Sequence, residues 1–150
     1  MAVQVREKTI EEFTEKLTEM STDLNKISYM ESALKISGFN FEIKRFLWGE
    51  LAKLYEDRKM FERAARAMAN KAGVEVMAKD KVNSYVTAAE LFSKLGKVED
   101  ADDMFLRASR DSTEEQRMKV RLARKNIIWF LHKNWRVRER RLRLLSFMRS

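Results

Sequence analysis

Cysteine and proline are both absent from this chain of 150 residues, histidine occurs once, and glycine occurs only at 38, 49, 73 and 96. Without cysteine there is no disulfide framework, no thiolate nucleophile and no cysteine-based zinc site, which suits a reducing compartment and makes the cytoplasm the expected location. Without proline and with so little glycine, the punctuation of β-rich folds is missing, and helix is the natural reading throughout. No apolar run approaches the roughly 18 residues that a spanning helix needs, and the opening MAVQVREKTIEEF lacks the apolar core of a secretory signal. At this length a single domain is expected, burying about 68–70% of the surface that its unfolded form exposes.

Acid is scarce at one end only. Residues 1–116 carry 19 Lys and Arg against 22 Asp and Glu, a net of −3, whereas residues 117–150 carry 12 Lys and Arg against one acid, Glu139, a net of +11. The whole excess of +8 therefore belongs to the last quarter of the chain.

Thr9-Ile10-Glu11-Glu12 reads as a capping box opening the first helix. Ile10, Phe13, Leu17, Met20, Leu24, Ile27 and Leu34 then recur at spacings of three and four. Residues 9–37 form either one long helix or a pair broken near Ser21-Thr22-Asp23, where three cap-forming residues fall together. The stripe fits a helix that covers one end of a stack better than a coiled-coil dimer seam, because fewer than four clean heptads are present. After Gly38 and Asn40, the pattern predicts helices over about 41–56, 60–72, 75–95 and 98–109. Ser112-Thr113-Glu114-Glu115 reads as a second capping box, opening a basic segment over 113–150 that is expected to break near His132-Lys133-Asn134. His132 is then a helix-end residue near the last carbonyls.

Between residues 48 and 108 the same helical hairpin is written twice. A shift of 37 residues lays Trp48 on Tyr85, Ala52 on Ala89, Tyr55 on Phe92, Ala64 on Ala101 and Met68 on Phe105. A repeat of this length marks a supersecondary unit that buries its apolar face by stacking on a neighbour. The pattern of a bulky residue, small residues, an aromatic, then alanine and another bulky residue in the partner helix resembles the tetratricopeptide repeat over roughly 65 residues. The resemblance implies an all-α fold of antiparallel helical hairpins stacked as a short right-handed superhelix of seven or eight helices, with repeats at 41–72 and 75–110 between atypical ends. The period of 37 is longer than the family's usual 34, the closing proline is missing from both copies, and a third copy fails at Arg138.

In that family the first helix of each hairpin lines a groove for a peptide or a partner helix. Carried over by alignment, Phe46, Gly49, Lys53 and Glu56 stand in the groove beside Asn83, Val86, Glu90 and Ser93; the alternative is an ordinary solvated face. Gly49 stands where a carboxylate-clamping member has its first lysine and Lys53 where it has its asparagine, so no such clamp is expected.

The basic end is the sharper chemical feature. Lys133, Arg136, Arg138, Arg140, Arg141 and Arg143 crowd into eleven residues, with Trp135 and Trp129 close by. Arginine pairs with phosphate and aromatics stack on unpaired bases, so RNA is one acidic partner and a protein another. A membrane is less favoured, and a homodimer stays open. On a helix, Trp135, Leu142 and Leu145 share a face, so they also fit packing against the stack while the arginines stay wet. An enzyme is not expected: His132 has no cysteine or second histidine to complete a metal site or triad, no Gly-rich phosphate loop occurs, and Asp102 and Asp103 are adjacent on a helix and diverge. No cofactor or metal is expected. The sequence thus points to a non-catalytic interaction module, with RNA binding through the basic end as the alternative.

Overall fold

The computed structural model describes residues 3–110 and 112–149. These residues form seven helices and no strand: α1 (Ile10–Glu19), α2 (Asp23–Leu34), α3 (Phe41–Asp57), α4 (Phe61–Gly73), α5 (Ala78–Lys94), α6 (Val98–Arg110) and α7 (Glu114–Met148). Consecutive helices from α2 onward pack on one another, and α7 lies against both α5 and α6. The fold is an all-α, repeat-like stack of hairpins.

Residues 9–37 hold a helix pair. The chain leaves α1 at Met20 in extended conformation and re-enters helix at Thr22, whose side chain accepts from the amide of Asn25. At the first cap the Glu12 amide donates to Thr9 Oγ1 at 3.2 Å. The Glu12 carboxylate accepts from the Lys8 amide, one residue earlier than a capping box requires. Phe13 is wholly buried, meeting Tyr29 of α2 and Phe39 edge-on at 5.6 Å between centroids. It pins α1 to the body.

The core of the two hairpins is built of small residues. Ala64, Ala65, Ala88 and Ala89 expose nothing, and Ala67 and Ala101 almost nothing, so helix backbones approach closely around them. Leu47, Leu51, Tyr55, Leu91, Phe92 and Phe105 fill the space that remains. The hairpin turns are equivalent as well. Lys59 and Gly96, 37 residues apart, both adopt the left-handed conformation, at φ 58° and 72°. The next amide in each, Met60 and Lys97, donates back to the carbonyl of Tyr55 or Phe92 at 2.7 and 3.1 Å. This is the six-to-one bond of a Schellman ending.

Three expectations are corrected. First, α5 begins at Ala78 rather than 75, because Glu75 turns inward to form ion pairs and residues 74–77 become a connector. Second, the cap of α7 is Thr113 with Gln116, not Ser112 with Glu115; each side chain bonds the other's amide, while the Ser112 hydroxyl donates to the Ser109 carbonyl. Third, α7 runs unbroken through His132, Lys133 and Asn134, since none of the three forces a stop and no proline or glycine occurs in the segment. His132 is therefore an interior helix residue stacked on Trp135, not a helix-end group. At 35 residues α7 is about 52 Å long.

Candidate functional site

Two regions merit description as sites: a cleft between α3 and α5, and the second half of α7. The cleft has a volume of about 780 Å³ and is walled by α3 and α5 over a floor from α4. Of the residues expected in a groove, Phe46, Gly49, Lys53, Glu56 and Asn83 line it. Val86, Glu90 and Ser93 do not. Val86 leans toward the core, Ser93 is buried with its hydroxyl donating to the Ala89 carbonyl, and Glu90 is exposed one turn beyond the end of the cleft. Beyond Glu90, Lys94 of α5 pairs with Glu56 of α3 at 3.6 Å, a tie between the C-terminal ends of the two walls.

The groups that sequence alignment missed are those that fix the other end. Glu75 has a side chain only 5% exposed, and its two oxygens meet Arg45 of α3 at 3.3 Å and Lys71 of α4 at 3.8 Å. Removing one partner from so enclosed a carboxylate is costly, whereas the surface pair Lys53–Glu50 nearby contributes little. The Glu75 cluster thus holds α3, α4 and the α4–α5 connector at a set separation. No local signal in the sequence marks it, because its members are 30 and 4 residues apart and lie on three different segments.

A smaller cleft of about 350 Å³ opens on the opposite side of α3, between Trp48, Tyr55, Leu34, Arg63 and Arg66. Here the Tyr55 hydroxyl donates to the Glu31 carboxylate, tying α3 to α2. Burial, reinforced by the bond to Glu31 and its charge, pushes the Tyr55 hydroxyl up to about 12, with Arg63 opposing. A matching bond joins the Tyr29 hydroxyl to Glu7. Burial and Glu7 raise Tyr29 well above the ordinary tyrosine range. Burial works against ionised Glu7, but the Tyr29 hydroxyl, two backbone amides and Lys16 together hold its carboxyl below the usual value.

Along α7 burial falls away. Val120 is buried and Ala123 and Ile127 pack against the core, with Arg124 reaching Asp102 of α6 at 3.0 Å. Asp102 and Asp103 are accordingly paired apart, Asp103 with Arg107 on its own helix. Beyond Leu131 every described residue except Glu139 is exposed. Lys133, Trp135, Arg136, Arg138, Arg140, Arg141 and Arg143 therefore all lie on a free-standing stretch of helix. They are not brought to the α3–α5 cleft. The packing of Trp135, Leu142 and Leu145 on the stack, one of the two sequence expectations, does not occur: each is more than half exposed.

No family model, no curated protein and no solved structure matches the chain at a significant level.

The helical positions give the arm a basic face and an apolar seam, with Phe130, Val137 and Leu144 as a second exposed apolar row between them. Lys133, Arg136, Arg140 and Arg143 fall on one side with Trp129, over which the Lys133 ammonium sits at 4.9 Å. Glu139 is paired with Arg143 at 3.5 Å, so the one acid of this segment is already engaged. On the other side Ile128, Leu131, Trp135, Leu142 and Leu145 recur at alternating intervals of three and four, with Arg138 in the one remaining place. Among the described residues, no group of three or more metal-ligating side chains is gathered in one place, and no helix is long and apolar enough to cross a membrane.

Proposed function

We propose that the chain is a non-catalytic interaction module, of the kind its resemblance to tetratricopeptide repeats implies, and that it holds a segment of another protein in the cleft between α3 and α5. The observation that supports this most is the cleft's construction. Arg45 and Lys71 are held by an enclosed Glu75, while Lys53, Glu56 and Asn83 line the same channel. Fixed donors and acceptors of both signs along an open channel suit a peptide, which offers backbone groups and side chains of either charge. The cysteine-free composition suits a reducing, cytoplasmic setting.

A photo-crosslinker placed at position 53 or 83 tests the reading in native extract. A stoichiometric protein crosslinked there, and lost when Glu56→Arg and Thr87→Arg are added on the walls of the cleft, is the expected result. Recovery of no protein from either position, together with measurable turnover of a small molecule, sinks it.

A second reading rests on the basic face of α7. Trp129, Lys133, Arg136 and Arg140 together offer a stacking ring and phosphate donors, the combination that single-stranded RNA uses. Removal of residues 134–150 then abolishes RNA affinity, and that affinity falls steeply with added salt. Unchanged RNA affinity after truncation disposes of it.

A further inference from the structure

The apolar side of the α7 arm is a separate surface from both the cleft and the basic face. We infer that this seam, Ile128, Leu131, Trp135, Leu142 and Leu145 with Arg138 set within it, receives an acidic amphipathic helix of a partner protein. The inference rests on the reading of the chain as an interaction module but places the contact elsewhere on the molecule.

Spacing argues for a helix. Intervals of three, four, three, four and three from 128 to 145 are those of a seam that packs knobs into holes against another helix. The seam also continues a stripe that the body already covers at Val120, Ala123 and Ile127. Where the body ends, the stripe goes on uncovered, and Trp135, Leu142 and Leu145 are 55%, 58% and 52% exposed. A soluble monomer seldom leaves so long a row of large apolar groups in water without a use for it.

Charge selects the occupant. Arg138 lies inside the seam and Arg141 beside it, while the nearby Glu139 is engaged by Arg143. A second copy of the arm brings like charges together, whichever way it runs, because residues 128–150 carry seven Lys and Arg against one acid, a net of +6. A lipid surface has to accept a guanidinium in the middle of the apolar stripe, at a cost unless it reaches back to the headgroups. RNA satisfies arginine but leaves Leu142 and Leu145 in water. A helix with leucines along one stripe and carboxylates at its margins covers the apolar groups and supplies partners for Arg138 and Arg141 together.

The test uses the full-length chain and a synthetic peptide of about four heptads with leucine at the seam positions and glutamate at the margins. Binding is followed by the blue shift of tryptophan emission and by titration. Because the altered residues are exposed, Leu142→Ser with Leu145→Ser, and separately Arg138→Glu with Arg141→Glu, leave the body folded, which circular dichroism checks. Each pair is expected to weaken binding at least about tenfold, through lost apolar burial or lost charge pairing. The charge-reversed pair is also expected to favour a lysine-margined version of the peptide.

Three results overturn the inference: a leucine-free glutamate peptide that binds as tightly, oligouridylate or phosphatidylglycerol vesicles that bind with the same dependence on Leu142 and Leu145, or light scattering that shows a dimer broken by those two substitutions. None of them touches the cleft. Loss of crosslinking at position 53 with retained peptide binding to the arm, or the reverse, tells the failure of one site from the failure of the other.

Discussion

The two hairpins and the α7 arm use the same residue types to opposite ends. In α3 to α6 each helix turns alanine inward, joined by leucine or aromatic side chains in α3, α5 and α6, and charge is spent on ties between neighbours such as Arg45–Glu75, Lys94–Glu56 and Lys97–Glu62. Beyond Leu131, leucine, tryptophan and arginine all face water. Hydrophobicity alone does not decide burial here. What decides it is whether a second helix lies within reach.

Substitutions at the closest approach of the hairpins should separate the two regions most sharply. Ala64→Leu or Ala101→Leu inserts a branched side chain where exposure is 0% and 3%, and a loss of about 1–3 kcal/mol each, or more, is expected in urea unfolding. A smaller effect is expected from Tyr55→Phe, roughly 1 kcal/mol at neutral pH, since Glu31 keeps access to water. That variant also has a pH signature. The native hydroxyl ionises only near 12, above its unfolded value of about 10, so its contribution is complete below pH 10 and is lost as pH rises through 12. Thermal melts from pH 8 upward should show this alkaline decline weakened in Tyr55→Phe.

The paired turns permit a comparison within the body itself. Lys59 and Gly96 share one backbone conformation, but only lysine meets a steric penalty there. Lys59→Gly should therefore stabilise and Gly96→Ala destabilise, each by about 1 kcal/mol, and equal signs for the two would show that the turns are not equivalent. Gly49→Ala should add about 0.5–1 kcal/mol, because the new methyl meets only the flexible end of Lys71, nearest at Cε at an ordinary 3.7 Å. Smallest of all, Leu142→Ser or Arg138→Glu should move stability by less than about 0.5 kcal/mol. A large loss from either would mean that the arm is part of the core after all.

These contrasts also explain what was legible in the sequence. Helical class, the inward alanines and the turn at Gly96 all follow from local spacing and local conformational preference, while the cap-forming residues at Ser21-Thr22-Asp23 allow the observed break without requiring it. The 37-residue shift even pairs Lys59 with Gly96, although no rule for lysine predicts a left-handed residue. A third of the cleft lining is legible through Phe46, Gly49, Lys53, Glu56 and Asn83. Glu75 is not, because an ion pair between distant segments leaves no periodic trace, and its inward turn also delays the start of α5. The continuity of α7 is hidden in the sequence for a related reason. His132, Lys133 and Asn134 are indifferent helix formers that break a helix only when something else calls for a turn.

The unbroken α7 has a metric consequence. A straight helix fixes azimuth as well as distance, so whatever is bound at Leu145 is held about 21 Å along the axis from Leu131 and at a set angle about it. One residue inserted after Leu131 would turn the distal seam by about 100° and advance it by only about 1.5 Å, whereas seven inserted residues would nearly restore its bearing while moving it about 10 Å farther out. Length and orientation in this arm can thus be varied almost independently.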